Sequence, residues 1–346
     1  MGKSLLDDIL EKYGEDAILR KPEGNIPAIS TGALSLDVSI GIGGIPIGRI
    51  TEIYGPESSG KTTLALSVVN QTLRLPESRI LYIDTENSLD YGYLSSVIDK
   101  EFHDQIEERV LVVQPKSGED ALEIAEAGVD ARFNLIVFDS IAALSPEKEL
   151  EDPFDKDHIG LVPRLASKFL RRKAVDIRRN SVAFLAINQV RANIGSFTGG
   201  FTTPVGHAFK HWTSVRVFVV ATKKIRDKED EIGREVKFTI QKNKVAIPYR
   251  TAYMPLIYGK GFDYYRDVVG FANLLGVVKT RGAYYSFEEE TIGQGIVKAA
   301  EELEQNQELL DKIVKACYNV AGSVSYASDF NIEKELEEAN AETYED

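Results

Sequence analysis

Cysteine is almost absent from this sequence, since Cys317 is the single one among 346 residues. One cysteine excludes an internal disulfide and a zinc site built from several cysteines. Long apolar runs are also missing, because none approaches the roughly 20 residues that a membrane-spanning helix needs. The first residues, Met1 to Arg20, are charged and amphipathic, unlike a secretory signal. We therefore expect a cytoplasmic protein without a membrane partner.

Basic residues are outnumbered in this chain, with 41 lysines and arginines against 54 aspartates and glutamates. The net charge of −13 argues on its own against nucleic-acid binding. The charges are segregated, however. Residues 158–179 contain seven basic residues and one acid, whereas residues 333–346 contain seven acids and one lysine. The first segment is typical of an anion-binding element, and the second of a disordered, self-repelling tail.

Apolar, β-branched runs alternate with helical stretches through the middle of the chain. This alternation predicts an α/β fold with a mostly parallel central sheet covered by helices on both faces. Two later apolar runs follow each other without long helices, which predicts an antiparallel extension. We predict four parts: an N-terminal helix–strand arm (1–31) that packs on the body or on another subunit, an α/β core (32–259), a small C-terminal α/β domain (260–330) and the acidic tail (331–346).

One motif carries strong chemical information, because residues 55–62 match the pattern G-x-x-x-x-G-K-[ST]. A predicted strand (50–54) leads into the motif and a predicted helix (62–73) leaves it, as a phosphate-binding loop requires. Glycines let the backbone N–H groups converge on phosphate oxygens at a helix N-terminus. We expect Lys61 to reach the β- and γ-phosphates of ATP, and the Thr62 hydroxyl to bind Mg²⁺.

Carboxylates follow two other predicted strands at the same edge of the sheet. Asp139 is the expected Mg²⁺ partner of Thr62, although an aspartate in this position is also typical of a helix cap. Glu86 is the candidate general base for hydrolysis. Asp84 is its nearest competitor, and spacing alone does not separate the two. The alternative for either acid is a solvated loop residue.

A further strand is followed by Gln189, which we expect to contact the γ-phosphate and to report its presence to the next segment. That segment, residues 194–206, contains four glycines, two phenylalanines and no charge. Such a composition is rare in an inert connection, so we expect the segment to become ordered when a ligand binds. The alternative is a mobile surface loop.

The basic segment has the pattern of an amphipathic helix. Arg164, Lys168 and Arg171 recur at i, i+4 and i+7 on one face, while leucines and a phenylalanine recur on another. A helical face of this kind is usually only solvated. Here the excess of seven basic residues over one acid favours phosphate binding.

Two stretches, residues 29–37 and 48–63, resemble the bacterial RecA recombinase family almost residue for residue. The likeness extends from about residue 10 to residue 316 and includes the Ile-Gly-Gln-Gly at 292–295. The resemblance implies a P-loop ATPase of the RecA type that forms a filament on single-stranded DNA. It further implies homologous pairing and strand exchange with double-stranded DNA in recombination and repair, and it allows repressor or mediator proteins as further partners.

The resemblance also assigns roles to individual residues by their position in the family's motifs. Glu86 is then the catalytic carboxylate, Gln189 the γ-phosphate sensor, and Lys242 and Lys244 act in trans on ATP held by the neighbouring protomer. The residues assigned to the phosphates and the metal are Gly55, Pro56, Glu57, Ser58, Ser59, Gly60, Lys61, Thr62, Thr63 and Asp139, and those assigned to the adenine are Asp90 and Tyr93. The first DNA-binding region includes Ile159, Arg164, Ser167 and Arg171. The second spans 191–210 and includes Arg191 and Ile194.

The chain departs from the family's pattern at the end of the second DNA-binding region. Residues 204–208 read Pro-Val-Gly-His-Ala, and His211 and Trp212 alter the aromatic pattern. The region is therefore better supported than any single contact in it. Two other functions stay open at this point: a hexameric helicase or branch-migration motor, and a non-catalytic ATP switch that coats DNA.

Overall fold

The computed structural model describes residues 11–12, 26–153, 160–192 and 201–324. Its largest feature is a sheet of nine strands. All strands, β1 to β16, are numbered in chain order, whichever sheet they belong to. From one edge to the other, the sheet contains β13 (Gly261–Phe262), β12 (Thr251–Ile257), β11 (Asp230–Asn243), β10 (Val215–Asp227), β3 (Arg49–Gly55), β7 (Ala183–Gln189), β6 (Leu135–Asp139), β4 (Ile80–Asp84) and β5 (Val110–Val113).

Strand direction divides this sheet into two parts. β3 pairs in parallel with β7 and with β10, and parallel pairing continues through β6, β4 and β5. Strands β10 to β13 pair antiparallel with one another. Every residue of β4 and β6 is buried, as expected for apolar strands in a parallel sheet covered on both faces. The predicted α/β fold with an antiparallel extension is confirmed.

Helices lie on both faces of the sheet and produce two hydrophobic cores. Alternate residues of β4 serve the two, with Tyr82 in one core and Leu81 in the other. Leu64 belongs to the first core and Phe169 to the second. The helices around the sheet are α1 (Leu34–Ile40), α2 (Lys61–Leu73), α3 (Tyr91–Val97), α4 (Ile106–Arg109), α5 (Gly118–Asp130), α6 (Glu147–Glu151), α7 (Leu161–Arg179) and α8 (Gly206–Trp212), with 3-10 turns at Lys100–Gln105 and Ile141–Ala143.

A third hydrophobic core supports the C-terminal part of the chain. It contains Val268, Phe287 and Ile313, together with Leu34 and Val38 from α1. The predicted boundary after residue 259 stays a prediction, and the boundary at residue 330 lies outside the described residues. The elements of this part are α9 (Tyr264–Leu274), the antiparallel strands β14 (Lys279–Arg281), β15 (Tyr284–Phe287) and β16 (Glu290–Gln294), α10 (Gly295–Gln305) and α11 (Gln307–Val324).

Two short antiparallel pairs complete the described structure. β1 (Ala28–Ile29) pairs with β2 (Ile45–Pro46), and β8 (Arg191–Ala192) pairs with β9 (Phe201–Thr202). Most of the predicted arm and all of the predicted tail lie outside the described residues. Among the helices of the described ranges, none combines the length and apolar character that a membrane crossing demands.

Candidate nucleotide site and DNA-facing helix

The phosphate-binding motif forms the turn between β3 and α2, as its sequence predicts. Two of its glycines are sterically required. A Cβ on Gly55 would lie 2.0 Å from the carbonyl oxygen of Val219, and Gly60 has a φ of +91°, in the left-handed region that favours glycine. The loop therefore ends at the first turn of α2, where free backbone N–H groups favour an anion.

Lys61, the first residue of α2, is only 8% exposed. Its Nζ donates a hydrogen bond to the carbonyl oxygen of Pro56, at 2.5 Å. Burial lowers the pKa of Lys61, while the carboxylates of Asp139, Glu86 and, less strongly, Glu57 act in the opposite direction. An ammonium group that is costly to bury beside a helix N-terminus is well suited to a phosphate, which would compensate its charge.

The two predicted Mg²⁺ ligands are in direct contact. Thr62 Oγ1 donates to Asp139 Oδ2 at 2.9 Å, and the Tyr82 hydroxyl donates to the same oxygen at 2.7 Å. Burial raises the pKa of Asp139 to about 6, against the lowering effect of these two hydrogen bonds. A hydroxyl and a carboxylate are donors that Mg²⁺ prefers, so the pair fits the metal. Tyr82 was not predicted as a site residue, because it lies within an apolar predicted strand.

The structure distinguishes the two acids that spacing left equivalent. Asp84 is buried, and its Oδ2 accepts hydrogen bonds from the backbone N–H of Leu89 and from Gln114 Nε2, both at 3.0 Å. Glu86 is exposed at the sheet edge. Its Oε1 accepts from the Ser140 hydroxyl and from Gln189 Nε2, the latter at 2.7 Å. Asp84 is thus occupied within the fold, which favours Glu86 as the general base.

Of the two residues predicted at the adenine, Tyr93 contacts α2, the helix that follows the phosphate-binding loop. Asp90 caps α3, because its Oδ1 accepts a hydrogen bond from the backbone N–H of Tyr93 at 3.0 Å. The Tyr93 hydroxyl shares a hydrogen bond of 2.5 Å with Thr63 Oγ1 on α2. These contacts fix Tyr93 against the helix that carries Lys61 and Thr62.

The two lysines predicted to act in trans lie at the end of β11, where they contact the C-terminal end of α8. Lys242 Nζ donates to the carbonyl oxygens of Lys210, at 2.6 Å, and of His211, at 3.1 Å. Lys244 Nζ donates to the His211 oxygen at 3.2 Å. Burial, reinforced by the charge of Lys244, lowers the pKa of Lys242 to about 8. Cations at this position are favourable for α8, since helix C-termini carry unpaired carbonyls.

A buried carboxylate that was not predicted from the sequence bonds to Asn188, the residue before Gln189. Glu52 is fully buried in β3; its Oε1 accepts from Asn188 Nδ2 at 2.8 Å and its Oε2 from Arg216 Nε. The signal in the sequence is a glutamate between isoleucines 50 and 53 inside the predicted strand 50–54, because such an acid is rarely buried without a partner.

Helix α7 presents the predicted basic face to solvent. Arg164, Lys168 and Arg171 are exposed, while Phe169 is buried and stacks at 5.4 Å on Phe184. The Ser167 hydroxyl donates back to the carbonyl oxygen of Pro163 at 2.6 Å and so is engaged within the helix.

The charge of this helix is smaller than its sequence indicates. Arg172 pairs with Glu126 at 2.9 Å, and Lys173 pairs with Asp130 at 2.6 Å, so two of the seven basic residues are neutralised by α5. Of the other predicted DNA contacts, Ile159 and Ile194 lie outside the described residues. Arg191 lies in β8, and its side chain is outside the described part of the structure.

Comparisons with known proteins show which family the chain resembles over nearly its whole length. A family model described as the RecA N-terminal domain matches residues 3–263, and one described as the RecA C-terminal domain matches residues 266–321. The chain is 39% identical to Protein RecA of Thermus thermophilus over 332 residues, which cover 94% of this chain and 96% of that protein. It is 36% identical to Protein RecA of Halalkalibacterium halodurans over 349 residues, covering 99% and 95%, and 39% identical to Protein RecA of Pseudomonas savastanoi over 318 residues, covering 90% and 87%.

Proposed function

The chain belongs to the RecA family and is a DNA-dependent ATPase of recombination and DNA repair, and we propose that it works as a filament on single-stranded DNA. The filament pairs this strand with a homologous duplex and exchanges strands. One observation carries the proposal: the phosphate-binding loop, the Thr62–Asp139 pair and the Glu86–Gln189 pair meet at one edge of the sheet. That edge is where open α/β sheets bind ligands.

We assign the nucleotide-binding roles from these contacts. Lys61 and the N–H groups at the start of α2 hold the phosphates of ATP, and Thr62 and Asp139 hold Mg²⁺. When bound, the metal ion neutralises charge on the phosphate oxygens. The hydroxyl of Tyr82 keeps the Asp139 carboxylate in place through the 2.7 Å hydrogen bond.

Glu86 and Gln189 act at the γ-phosphate in this proposal. Both hydrogen bonds to Glu86 use Oε1, so we assign Oε2 to the attacking water, whose proton it accepts. Gln189 bonds to Glu86 in this structure, and contact with a γ-phosphate requires it to exchange that partner. Gln189 ends β7 shortly before residues 191–210. This change of partner, from Glu86 to the γ-phosphate, therefore couples nucleotide binding to the second DNA-binding region.

DNA binding in this proposal rests on the exposed basic face of α7. Arg164, Lys168 and Arg171 contact backbone phosphates, and base pairing rather than the protein reads sequence. Lys242 and Lys244 reach the ATP of the neighbouring subunit after leaving the carbonyls of α8. We place the protein in the cytoplasm, with repressor or mediator proteins as further partners of the filament. The match to RecA over nearly the whole chain favours this function over a hexameric motor.

The experiment that tests the proposal is a steady-state ATPase assay with and without single-stranded DNA, paired with electron microscopy of the same samples. We expect hydrolysis to rise by at least about tenfold with DNA, in step with helical filaments. Absence of hydrolysis with and without DNA would indicate a non-catalytic coat, and a rate independent of DNA would indicate an unrelated ATPase. Closed rings in the micrographs would indicate a motor.

A further inference from the structure

Four polar side chains form a line across four neighbouring strands of the sheet. They are Asn188 on β7, Glu52 on β3, Arg216 on β10 and Lys242 on β11. Glu52 and Arg216 are register partners, as are Arg216 and Lys242, so their side chains share one face of the sheet. Asn188 reaches this face through its 2.8 Å hydrogen bond to Glu52.

The middle of this line is held firmly. Glu52 is fully buried, and burying a carboxylate is costly unless it is paired and hydrogen-bonded. Both of its oxygens are used, one by Asn188 and one by Arg216. The Arg216 side chain is 12% exposed, and its guanidinium stacks at 4.3 Å over the ring of Tyr54. The pair has little freedom to move independently of the side chains at its two ends.

The two ends of the line lie at different sites. On one side, Asn188 directly precedes Gln189, which bonds to Glu86. On the other side, Lys242 bonds to the carbonyl oxygens of Lys210 and His211 at the end of α8. Burial and the charge of Lys244 lower the pKa of Lys242 most, Arg216 lowers it further, and Glu52 raises it. The line therefore connects the subunit's own nucleotide site to the lysine that we assign to its neighbour's.

We propose that Glu52 and Arg216 are positioning residues that couple the nucleotide held by one subunit to the lysines it offers to the next. The inference rests on the proposed function, since it requires Lys242 and Lys244 to act in trans. When Gln189 leaves Glu86 for a γ-phosphate, the end of β7 moves and takes the Asn188 amide with it. Glu52 and Arg216 follow through their hydrogen bonds, and the new position of the Arg216 charge favours the release of Lys242 from α8.

Asn188 itself supports a mobile end to the line. Its Oδ1 is buried and has no hydrogen-bond partner among the described residues. A buried amide oxygen without a hydrogen-bond partner destabilises the arrangement that holds it. The amide is therefore held on one side only, by Glu52, and a second arrangement that satisfies Oδ1 is accessible when Gln189 turns.

Mixed filaments test the proposal, because they separate the subunit that hydrolyses ATP from the subunit that supplies lysines. The acceptor carries Lys242→Ala and Lys244→Ala. It can hydrolyse its own ATP only when the neighbouring subunit supplies the two lysines, and it supplies none itself. The donor carries Glu86→Gln, which removes the general base but keeps a side-chain oxygen that can accept from Gln189. The donor therefore supplies lysines without hydrolysing ATP. An equal mixture should recover about a quarter of the wild-type rate, since half of the subunits are acceptors and half of those neighbour a donor on the relevant side.

The double change Glu52→Gln with Arg216→Gln is then added to one partner at a time. It removes both charges together, so no unpaired buried charge is left, and Glu52→Gln keeps a side-chain oxygen that can accept from Asn188. Added to the donor, it should lower the recovered rate by about tenfold or more. Added to the acceptor, it should change the rate by less than about threefold. As a conservative control, the donor carries Arg216→Lys alone in place of the double change. This variant keeps the cation beside Glu52, so most of the recovered rate should be retained.

Three outcomes overturn the inference. An equal loss of rate from either partner would mean that Glu52 and Arg216 only maintain the fold or the subunit's own nucleotide site. No loss of rate from the donor would mean that they do not couple that site to the lysines. Absence of recovery in the original mixture would remove the trans lysines, and with them both this inference and that part of the proposed function. Thermal unfolding and filament assembly with a non-hydrolysable ATP analogue confirm that each variant is folded.

Discussion

The nucleotide edge of the sheet and the basic face of α7 use charge in opposite ways. At the edge, Lys61 and Asp139 are buried, and each is fixed by hydrogen bonds at 2.5 to 2.9 Å. On α7, Arg164 and Arg171 are exposed. Buried charges interact strongly and are hardly screened by salt, whereas exposed charges are weak individually and act as a group. Single substitutions should therefore have large effects at the edge and graded, salt-dependent effects on the helix.

The largest effect is expected for Lys61→Ala. Loss of the cation at the phosphates should abolish ATP-dependent filament formation and lower hydrolysis by about 10³-fold. Filament formation is measured by electron microscopy and nucleotide binding by a fluorescent ATP analogue. Lys100→Ala, at an exposed lysine away from the edge, is the matched control and should behave as wild type. Unchanged ATP affinity and turnover in Lys61→Ala would contradict the assignment.

Glu86→Gln comes next in size. It preserves the shape of the side chain and removes the carboxylate, so ATP and DNA binding should persist while hydrolysis falls by about 10²-fold or more. Asp84→Asn is the matched comparison, since its oxygen is already used by Leu89 and Gln114 within the fold. Its turnover should stay within about threefold of wild type. The reverse pattern, an inactive Asp84→Asn and an active Glu86→Gln, would show that the wrong acid was chosen.

A graded effect is expected on α7, where Arg171 and Arg172 are adjacent but differ in their surroundings. Arg171 is exposed, while Arg172 pairs with Glu126 at 2.9 Å. Arg171→Ala should weaken binding to single-stranded DNA and reduce the slope of log affinity against log salt by about 0.7, the value for one phosphate contact. Arg172→Ala should leave the slope nearly unchanged. Binding titrations from low to high salt measure both slopes, and equal slopes for the two variants would remove α7 from the DNA interface.

Features that depend on neighbouring residues or on strand order could be predicted from the sequence, whereas contacts from elsewhere in the fold could not. The phosphate-binding loop is a contiguous motif whose strand and helix are local, and Thr62 and Asp139 meet because parallel strands end at one edge. Asp84 and Glu86 could not be separated, because both follow the same strand and the groups that occupy Asp84 come from elsewhere in the fold.

Contacts between distant segments were the ones that sequence reasoning missed. Glu52 and Arg216 are 164 positions apart, and the bonds from Lys242 to α8 join residues 31 and 32 positions apart. The overestimated charge of α7 has the same origin, because Glu126 and Asp130 belong to α5. A helical pattern records which side chains share a face and carries no information about the acids of a neighbouring helix.

The smallest effect is expected from the acidic end of the chain, which relates to α7 through charge alone. Residues 333–346 carry a net charge of −6, from seven acids and one lysine. Residues 158–179 carry +6 with histidine neutral, from seven basic residues and one acid, and the pairing of Arg172 and Lys173 with α5 lowers the charge available there. An anionic segment can compete with DNA phosphates for the same cations or repel an incoming duplex.

Deletion of residues 332–346 should therefore strengthen DNA binding by a few-fold, most visibly for duplex DNA at low salt. The difference should shrink as salt rises, because the Debye length falls from about 30 Å at 0.01 M to about 10 Å at 0.1 M. The measurement is a salt titration of duplex affinity for the truncated and the full-length protein. A matched control replaces the seven acids by glutamine and asparagine at unchanged length, and it should reproduce the deletion if charge is the cause. Equal affinities of truncated and full-length protein at every salt concentration would instead assign the tail to solubility, since a net charge far from zero keeps a protein dispersed without any contact to DNA.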